Sequence, residues 1–306
     1  MSRLAALAAE QIDEFLEGAG AGTRLGEQLG TIGASIAIPA LLVAIGVLAF
    51  VLYVHDGSGD EAALLTNVLV FCGLLIFVGA FVEVYGASLV VGEAWSEELL
   101  GGTFRGALLR GVAGVMCFVG FFRLGHTSKR YWIGILGIAV GVLSLAVTGH
   151  TVSEGFPALT VTMDIVHVTS GGIWVGGLVG LVLVFTMRRR ATPNRMAPMV
   201  VRFSSIATAG VVAVAAAGIG MSFLIIDAPV DYVATPWGRI LLIKASLVAA
   251  AAAIGTYNHL VVVPALERDP ADGVYLRRSR ATITIEAVLL IGVTFLSVLL
   301  TEAPTN

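Results

Sequence analysis

The chain is 306 residues long, 57% hydrophobic and only 13% charged, with a net charge of -3 and a mean hydropathy of +0.94. An ordinary soluble domain carries about 25% charged residues, so most of this chain cannot face water. The composition excludes a disulfide scaffold, a disordered chain and a nucleic-acid binder, which would need a basic face for phosphates, and leaves no length for a large soluble domain.

Residues 1–30 come first and differ from the rest. Leu4, Leu7, Ile12, Phe15 and Leu16 form an amphipathic stripe beside an acidic face of Glu10, Asp13, Glu14 and Glu17. An acidic face does not seek anionic lipid, and a surface helix is expected. The first long apolar run starts near Ile32. It is too long for a signal-peptide core, so insertion through the chain's own spans is expected. Hydropathy then predicts about eight transmembrane helices, at 31–54, 63–91, 104–123, 131–149, 158–187, 199–226, 237–263 and 280–301. Polar, Gly and Pro residues punctuate the junctions, as in His55-Asp56-Gly57 and Asp269-Pro270-Ala271. The expected fold is an all-α polytopic bundle over residues 31–306, with no linker and no internal repeat.

Basic residues set the expected orientation. Arg123, Lys129 and Arg130 follow the third helix, Arg188 to Arg190 and Arg195 the fifth, and Arg268, Arg277, Arg278 and Arg280 the seventh. Cytoplasmic loops carry the positive excess, which places these loops inside and both termini outside. The loops around 150–157 and 227–236 hold no Lys or Arg. An acidic outer face is expected from Asp56, Asp60, Glu61, Glu93, Glu97, Glu98, Glu154, Asp227 and Asp231, which would concentrate cations.

Ionisable residues inside spans are costly and usually face a bundle interior or a pathway. Here they are Glu83, Arg110, Asp164, His167, Lys244 and Glu286. Internal ion pairing is the structural alternative, and Lys244 with Glu286 is the natural pair. The fifth helix is the densest. Met163 and His167 share a face at i and i+4, with Asp164 three residues before His167. A thioether with an imidazole is a soft set suited to copper, Cu(I) above all. Asp164 is placed either as a ligand or to orient the imidazole. Packing for the methionine and simple hydrogen bonding for the histidine remain open.

His150 closes the fourth helix at the outer surface. His167 lies ten residues after Pro157, about 15 Å along the axis, so the two imidazoles are expected at different depths of one outer vestibule. Gly172 and Gly176 have the spacing for close helix approach. Cys72 and Cys117 match no zinc or redox spacing and read as small core residues. His55 and His126 read as loop residues without partners.

Four segments in order carry a family resemblance. They are Gly149-His150-Thr151 with Asp164 to His167 and Trp174-Val175-Gly176-Gly177-Leu178; Arg202-Phe203-Ser204 with Gly218; Thr235-Pro236-Trp237-Gly238-Arg239 to Lys244, with Tyr257-Asn258 and Pro264-Ala265-Leu266; and Leu276-Arg277-Arg278-Ser279 leading to Glu286. Over about residues 145–290 the chain resembles the copper resistance D (CopD) family of inner-membrane proteins. Trp237 stands where the family often has Tyr.

The resemblance implies a multi-pass protein of the cytoplasmic membrane that takes copper inward, and no enzyme. The expected metal residues are His150, Met163, His167 and Asp164, with Arg239, Lys244 and Glu286 as structural or gating charges. No nucleotide-binding loop is present, so transport is not directly ATP-driven. No methionine-rich or histidine-rich outer segment is present either, so a separate outer copper-delivery protein is an expected partner, beside the bilayer. Two other readings are a haem-binding membrane redox protein using a His150/His167 pair, and a non-transporting assembly factor for a copper enzyme.

Overall fold

The computed structural model describes residues 2–57, 59–91, 102–122, 130–146, 157–187, 193–225 and 228–302, with side chains from residue 23 onward. Among the described residues there are helices and no strands. Lipid offers backbone groups no partner, so a chain this apolar must close its hydrogen bonds within each segment. The helices are α1 (Ser2–Tyr53), α2 (Gly59–Val91), α3 (Gly102–Phe121), α4 (Tyr131–Ala146), α5 (Pro157–Met187), α6 (Pro193–Ile225), α7 (Pro236–Tyr257) and α8 (Gly273–Glu302).

Seven of them are long and apolar enough to cross a membrane; α4, with 16 described residues, is shorter. The all-α multi-pass architecture therefore holds, with seven candidate spans among the described residues where about eight were expected. The helices overrun the hydropathy windows. α8 begins at Gly273 rather than 280, and α1 is already helical well before residue 31. Residues such as Leu276-Arg277-Arg278 are good helix formers, and they continue the helix past the lipid edge. Residues 2–30 run into the first span without a break.

A short helical turn, Asp231–Ala234, precedes α7. Thr235 caps α7 by accepting the Gly238 N–H at 3.0 Å, and Pro236 supplies the first turn. At the other end α7 passes into a π turn, Asn258–Val262, and then Val263–Arg268. Pro264 explains the π turn: it has no N–H to give, and its ring crowds the carbonyl one turn back.

α1 and α5 are the central helices, each with 56% of its most apolar window buried, against 11% in α6 and 6% in the span Pro236–Arg268. α1 packs along α2 on one side and α5 on the other. Glycines let these backbones approach. A Cβ on Gly176 would lie 2.7 Å from Gly46 Cα, and one on Gly79 would lie 2.6 Å from Gly33 O. Such joints divide the molecule into an α1–α4 half and an α5–α8 half.

In the first half Glu83 of α2 is ion-paired with Arg110 of α3, both buried. The internal pairing weighed for these two residues is therefore present. In the second half α5 packs against α6 and α8, and α7 packs chiefly on α8 and only lightly on α6. α5 and α7 thus face one another across an interior that α6 and α8 flank.

The acidic outer face needs correction. Asp56 is salt-bridged to Arg195 at 3.3 Å, and Arg202 donates to the Val54 carbonyl at 3.1 Å. Asp56, Asp60 and Glu61 therefore sit at the basic-loop end of the bundle. The reason is parity: with alternating spans, the α1–α2 link shares a side with the α5–α6 link. Asp231 belongs to the opposite end. Glu93, Glu97, Glu98, Glu154 and Asp227 lie outside the described residues.

Candidate functional site

Met163, Asp164 and His167 lie within three turns of the α5 start, each half-buried. They face α6 and the interior. The His167 ring rests against Gly218 of α6, where an added Cβ would come within 3.0 Å of Cε1 and 3.2 Å of Nδ1. That missing Cβ lets the ring reach the α6 backbone, and Nδ1 lies 3.0 Å from the Val214 carbonyl. A carbonyl only accepts, so Nδ1 carries the hydrogen. In the neutral ring Nε2 is then a free lone pair, which is the form a metal ligand needs. Met163 lies against Gly220 in the same way, with a Cβ there falling 3.2 Å from the sulfur. Two glycines of α6 thus seat the two soft donors of α5.

Lys244 of α7 arrives from across the interior, within electrostatic reach of both Asp164 and His167. The expected Lys244–Glu286 pair is not what forms. Glu286 is 3% exposed. Its Oε1 accepts the Trp174 indole N–H at 2.7 Å, and its Oε2 faces the Asn258 amide nitrogen at 3.5 Å. Both donors are neutral. Arg239 is exposed and donates to the Ala234 carbonyl at 2.9 Å, fastening the short turn to the start of α7. His150, expected to line the same vestibule, and Glu154 lie outside the described residues.

The motif residues divide their contacts among helices. In Trp174-Val175-Gly176-Gly177, Trp174 reaches Glu286 of α8, Gly176 meets α1, and Gly177 meets the Phe203 ring of α6. In Arg202-Phe203-Ser204, Arg202 holds the end of α1 and Ser204 lies 3.0 Å from His259 Nδ1. His259 is thirteen residues further along its span than the level of His167 on α5, counting each from its helix start. That is about 20 Å of depth at 1.5 Å per residue, too far for these two imidazoles to share one haem iron.

His55 is not partnerless. Its ring is 1% exposed and Nε2 lies 3.4 Å from Glu61 and 3.9 Å from Asp56. This is a group of possible metal ligands. However, His55 Nδ1 accepts the Gly57 N–H at 3.1 Å, so the ring hydrogen sits on Nε2 and points at Glu61. The cluster is a fastening of the α1–α2 turn, made possible by the positive φ of +76° at Gly57. Cys72 and Cys117, free thiols on α2 and α3, are buried in the core as expected.

Sequence reasoning passed over Trp174 and Asn258 as partners of Glu286. Two signals were available. One is a polar Asn inside the span Pro236–Arg268. The other is Gly255, which leaves room for the carboxylate: a Cβ added there would lie 3.1 Å from Glu286 Oε1.

Residues 197–300, which comprise most of α6, all of α7 and nearly all of α8, match the family described as Copper resistance protein D. The match covers the second to fourth of the resembling segments and not the first, Gly149 to Leu178. The chain is similar to Copper transport protein CutJ of Bacillus subtilis (strain 168), 25% identical over 248 residues, covering 74% of this chain and 45% of that protein. It is also similar to Inner membrane protein YebZ of Escherichia coli (strain K12), 29% identical over 159 residues, covering 51% of this chain and 54% of that protein. The chain spans about half the length of these curated relatives. No solved structure matches it. With these helices in place and the family match lying across α6 to α8, the chain is a multi-pass protein of the cytoplasmic membrane whose residues 197–300 match the copper resistance D family.

Proposed function

We propose that the protein moves copper inward across the cytoplasmic membrane, and that Met163 and His167 hold the ion on the way. The observation that carries this reading is the imidazole of His167. Its Nδ1–H is committed to the Val214 carbonyl, which leaves Nε2 as a donor beside a thioether on the same helix face. Thioether and imidazole favour Cu(I). The curated relative named for copper transport supports the same cargo.

Lys244 and Asp164 act as the site's internal counter-charges. Without an ion, the ammonium offsets the Asp164 carboxylate; an arriving cation takes over that task, and Lys244 is displaced. This is a gating role for Lys244, while Arg239 serves structure. His150 at the outer mouth receives the ion, passed on by a separate copper-carrying protein of the outer side. The protein is a permease in this reading and not an enzyme.

The test is copper accumulation in cells carrying His167→Ala. Loss of a ligand is expected to lower copper binding by about 10- to 100-fold or more, with matching loss of accumulation and unchanged protein in the membrane. Unchanged accumulation would remove His167 as a ligand. Copper binding without movement in sealed vesicles would favour the assembly-factor reading.

A further inference from the structure

The most unusual group left over is Glu286. It is a carboxylate near the middle of the bundle, 3% exposed, and the structure gives it no cationic partner among the described residues. An ionised carboxyl in such a place is costly unless paired. Trp174 N–H and the Asn258 amide are neutral donors, which hydrogen-bond the carboxyl oxygens without bringing a countercharge.

Along α8 itself, its surroundings are polar in one direction only. Asn258, the first residue of the π turn, faces Glu286 with its amide nitrogen and accepts from Thr282 Oγ1 at 2.6 Å with its amide oxygen. π turns are rare and recur at functional positions. Thr282 is one turn of α8 inward of Glu286, and Ser279 is the next. Ser279, Thr282 and Glu286 fall at i, i+3 and i+7, on one helix face. Ser279 Oγ is fully buried and has no hydrogen-bond partner among the described residues. A buried hydroxyl is normally satisfied, by protein or water. This one is therefore suited to hold a water between Thr282 and the basic end of the helix. Outward of Glu286, α8 reads Ala287-Val288-Leu289-Leu290-Ile291-Gly292-Val293, with no side-chain donor or acceptor.

We propose that Glu286 is a proton-exchanging carboxyl that equilibrates with the inner side by way of water entering along the polar face of Asn258, Thr282 and Ser279, and that its charge offsets a cation descending from the outer half-site. The charge-offset part rests on the copper reading; the proton exchange does not. The step is simple: the carboxyl O–H breaks, the proton leaves to water at the inner end, and the carboxylate remains. Reprotonation from the same side restores it. No net proton crosses the membrane.

The other ionisable groups around Glu286 are few. α5 brings Asp164 and His167, both further out, with Trp174 two turns inward of His167 on the same face. α7 brings Arg239 and Lys244 on the outer side and, through the π turn and the last stretch, Tyr257, His259, Glu267 and Arg268 on the inner side. α8 brings Tyr275, Arg277, Arg278 and Arg280 at its inner end. α6 has only Arg195 and Arg202, also at the inner end, and α1 has none between Glu27 and Tyr53. His259 is engaged by Ser204.

The experiment has two arms. Infrared difference spectra of the full protein in lipid nanodiscs are recorded between about pH 5 and 9, the span over which buried carboxyls titrate. A protonated-carboxyl C=O band that appears and disappears with pH, and is missing in Glu286→Gln, is expected. No pH-dependent band from Glu286 overturns the proposal. In the second arm, Cu(I) uptake is measured in right-side-out and inside-out vesicles with pH set separately on each side. Uptake is expected to follow the pH of the cytoplasmic face, up to about tenfold per pH unit on the flank of the titration.

Dependence on the outer pH alone overturns the inner route. Ser279→Ala and Thr282→Val leave the carboxyl in place and are expected to blunt the inner-pH response, so the test survives if Glu286→Gln fails to accumulate. A titrating Glu286 band in vesicles that move no Cu(I) supports the proton-exchanging carboxyl and sinks the transport reading.

Discussion

Glu83 and Glu286 are both carboxylates inside apolar helices, 6% and 3% exposed. Glu83 is closed off by the Arg110 guanidinium. Glu286 is held by an indole and an amide, neither charged. The halves that contain them differ in the same way. In α1–α4 the polar groups are paired off and helices meet through glycines. In α5–α8 the polar groups line an interior: Met163, Asp164, His167 and Lys244 toward the start of α5, then Glu286, Asn258, Thr282 and Ser279 toward the basic-loop end. A buried charge with a charged partner is structure; one with neutral partners has a second state available. On the proposed reading the first half is the frame, and the second carries the copper site.

The largest effect expected in breaking this comparison is at Arg110. Arg110→Ala strands Glu83 inside the frame and is expected to cost about 3–5 kcal/mol, seen as loss of folded protein from the membrane or a lower thermal midpoint in detergent. Replacing both partners, Glu83→Leu with Arg110→Leu, is expected to recover most of that loss. Failure to recover would mean that the pair does more than hold helices together.

A middle effect is expected at the seam. Gly176→Ala pushes a methyl against Gly46 Cα, 2.7 Å away, and overpacking of this kind costs about 1–3 kcal/mol. Thermal melts of the purified variant check it. If both halves then lose function together, the seam transmits position between frame and site. The smallest effect is expected at the exposed end: Arg195, 54% exposed, pairs with Asp56, and Arg195→Ala should cost less than about 1 kcal/mol in the same melts.

Much of the fold was legible because a span must be long, apolar and helical, and hydropathy reads those properties directly. The overrun of α8 to Gly273 was not, since nothing marks where lipid ends and a charged helix continues. The side of Asp56 is not legible from its charge: an acidic residue suits an outer loop, whereas the number of crossings puts it beside Arg195 at the basic-loop end. Within the candidate site, the shared face of Met163 and His167 on α5 follows from their spacing alone. The Trp174–Glu286 bond joins residues 112 apart in sequence, and hydropathy carries no information about such pairs. Lys244 and Glu286 were matched because their signs are opposite, whereas the structure gives Lys244 to α5. The motif glycines at 176, 177 and 218 were legible as small residues, but which neighbour each admits depends on helix rotation.

The bond from His167 to Val214 has one further consequence. The tautomer of this imidazole is set by a helix to which it does not belong. If α6 slid along α5 by one turn, about 5.4 Å, Gly218 would leave the ring, a side chain would crowd it, and Nδ1 would lose its acceptor. Nε2 would then no longer be held as the bare donor. The state of the His167 ring is in this sense a gauge of where α6 stands, and a one-turn displacement of a lipid-facing helix is enough to change the reading.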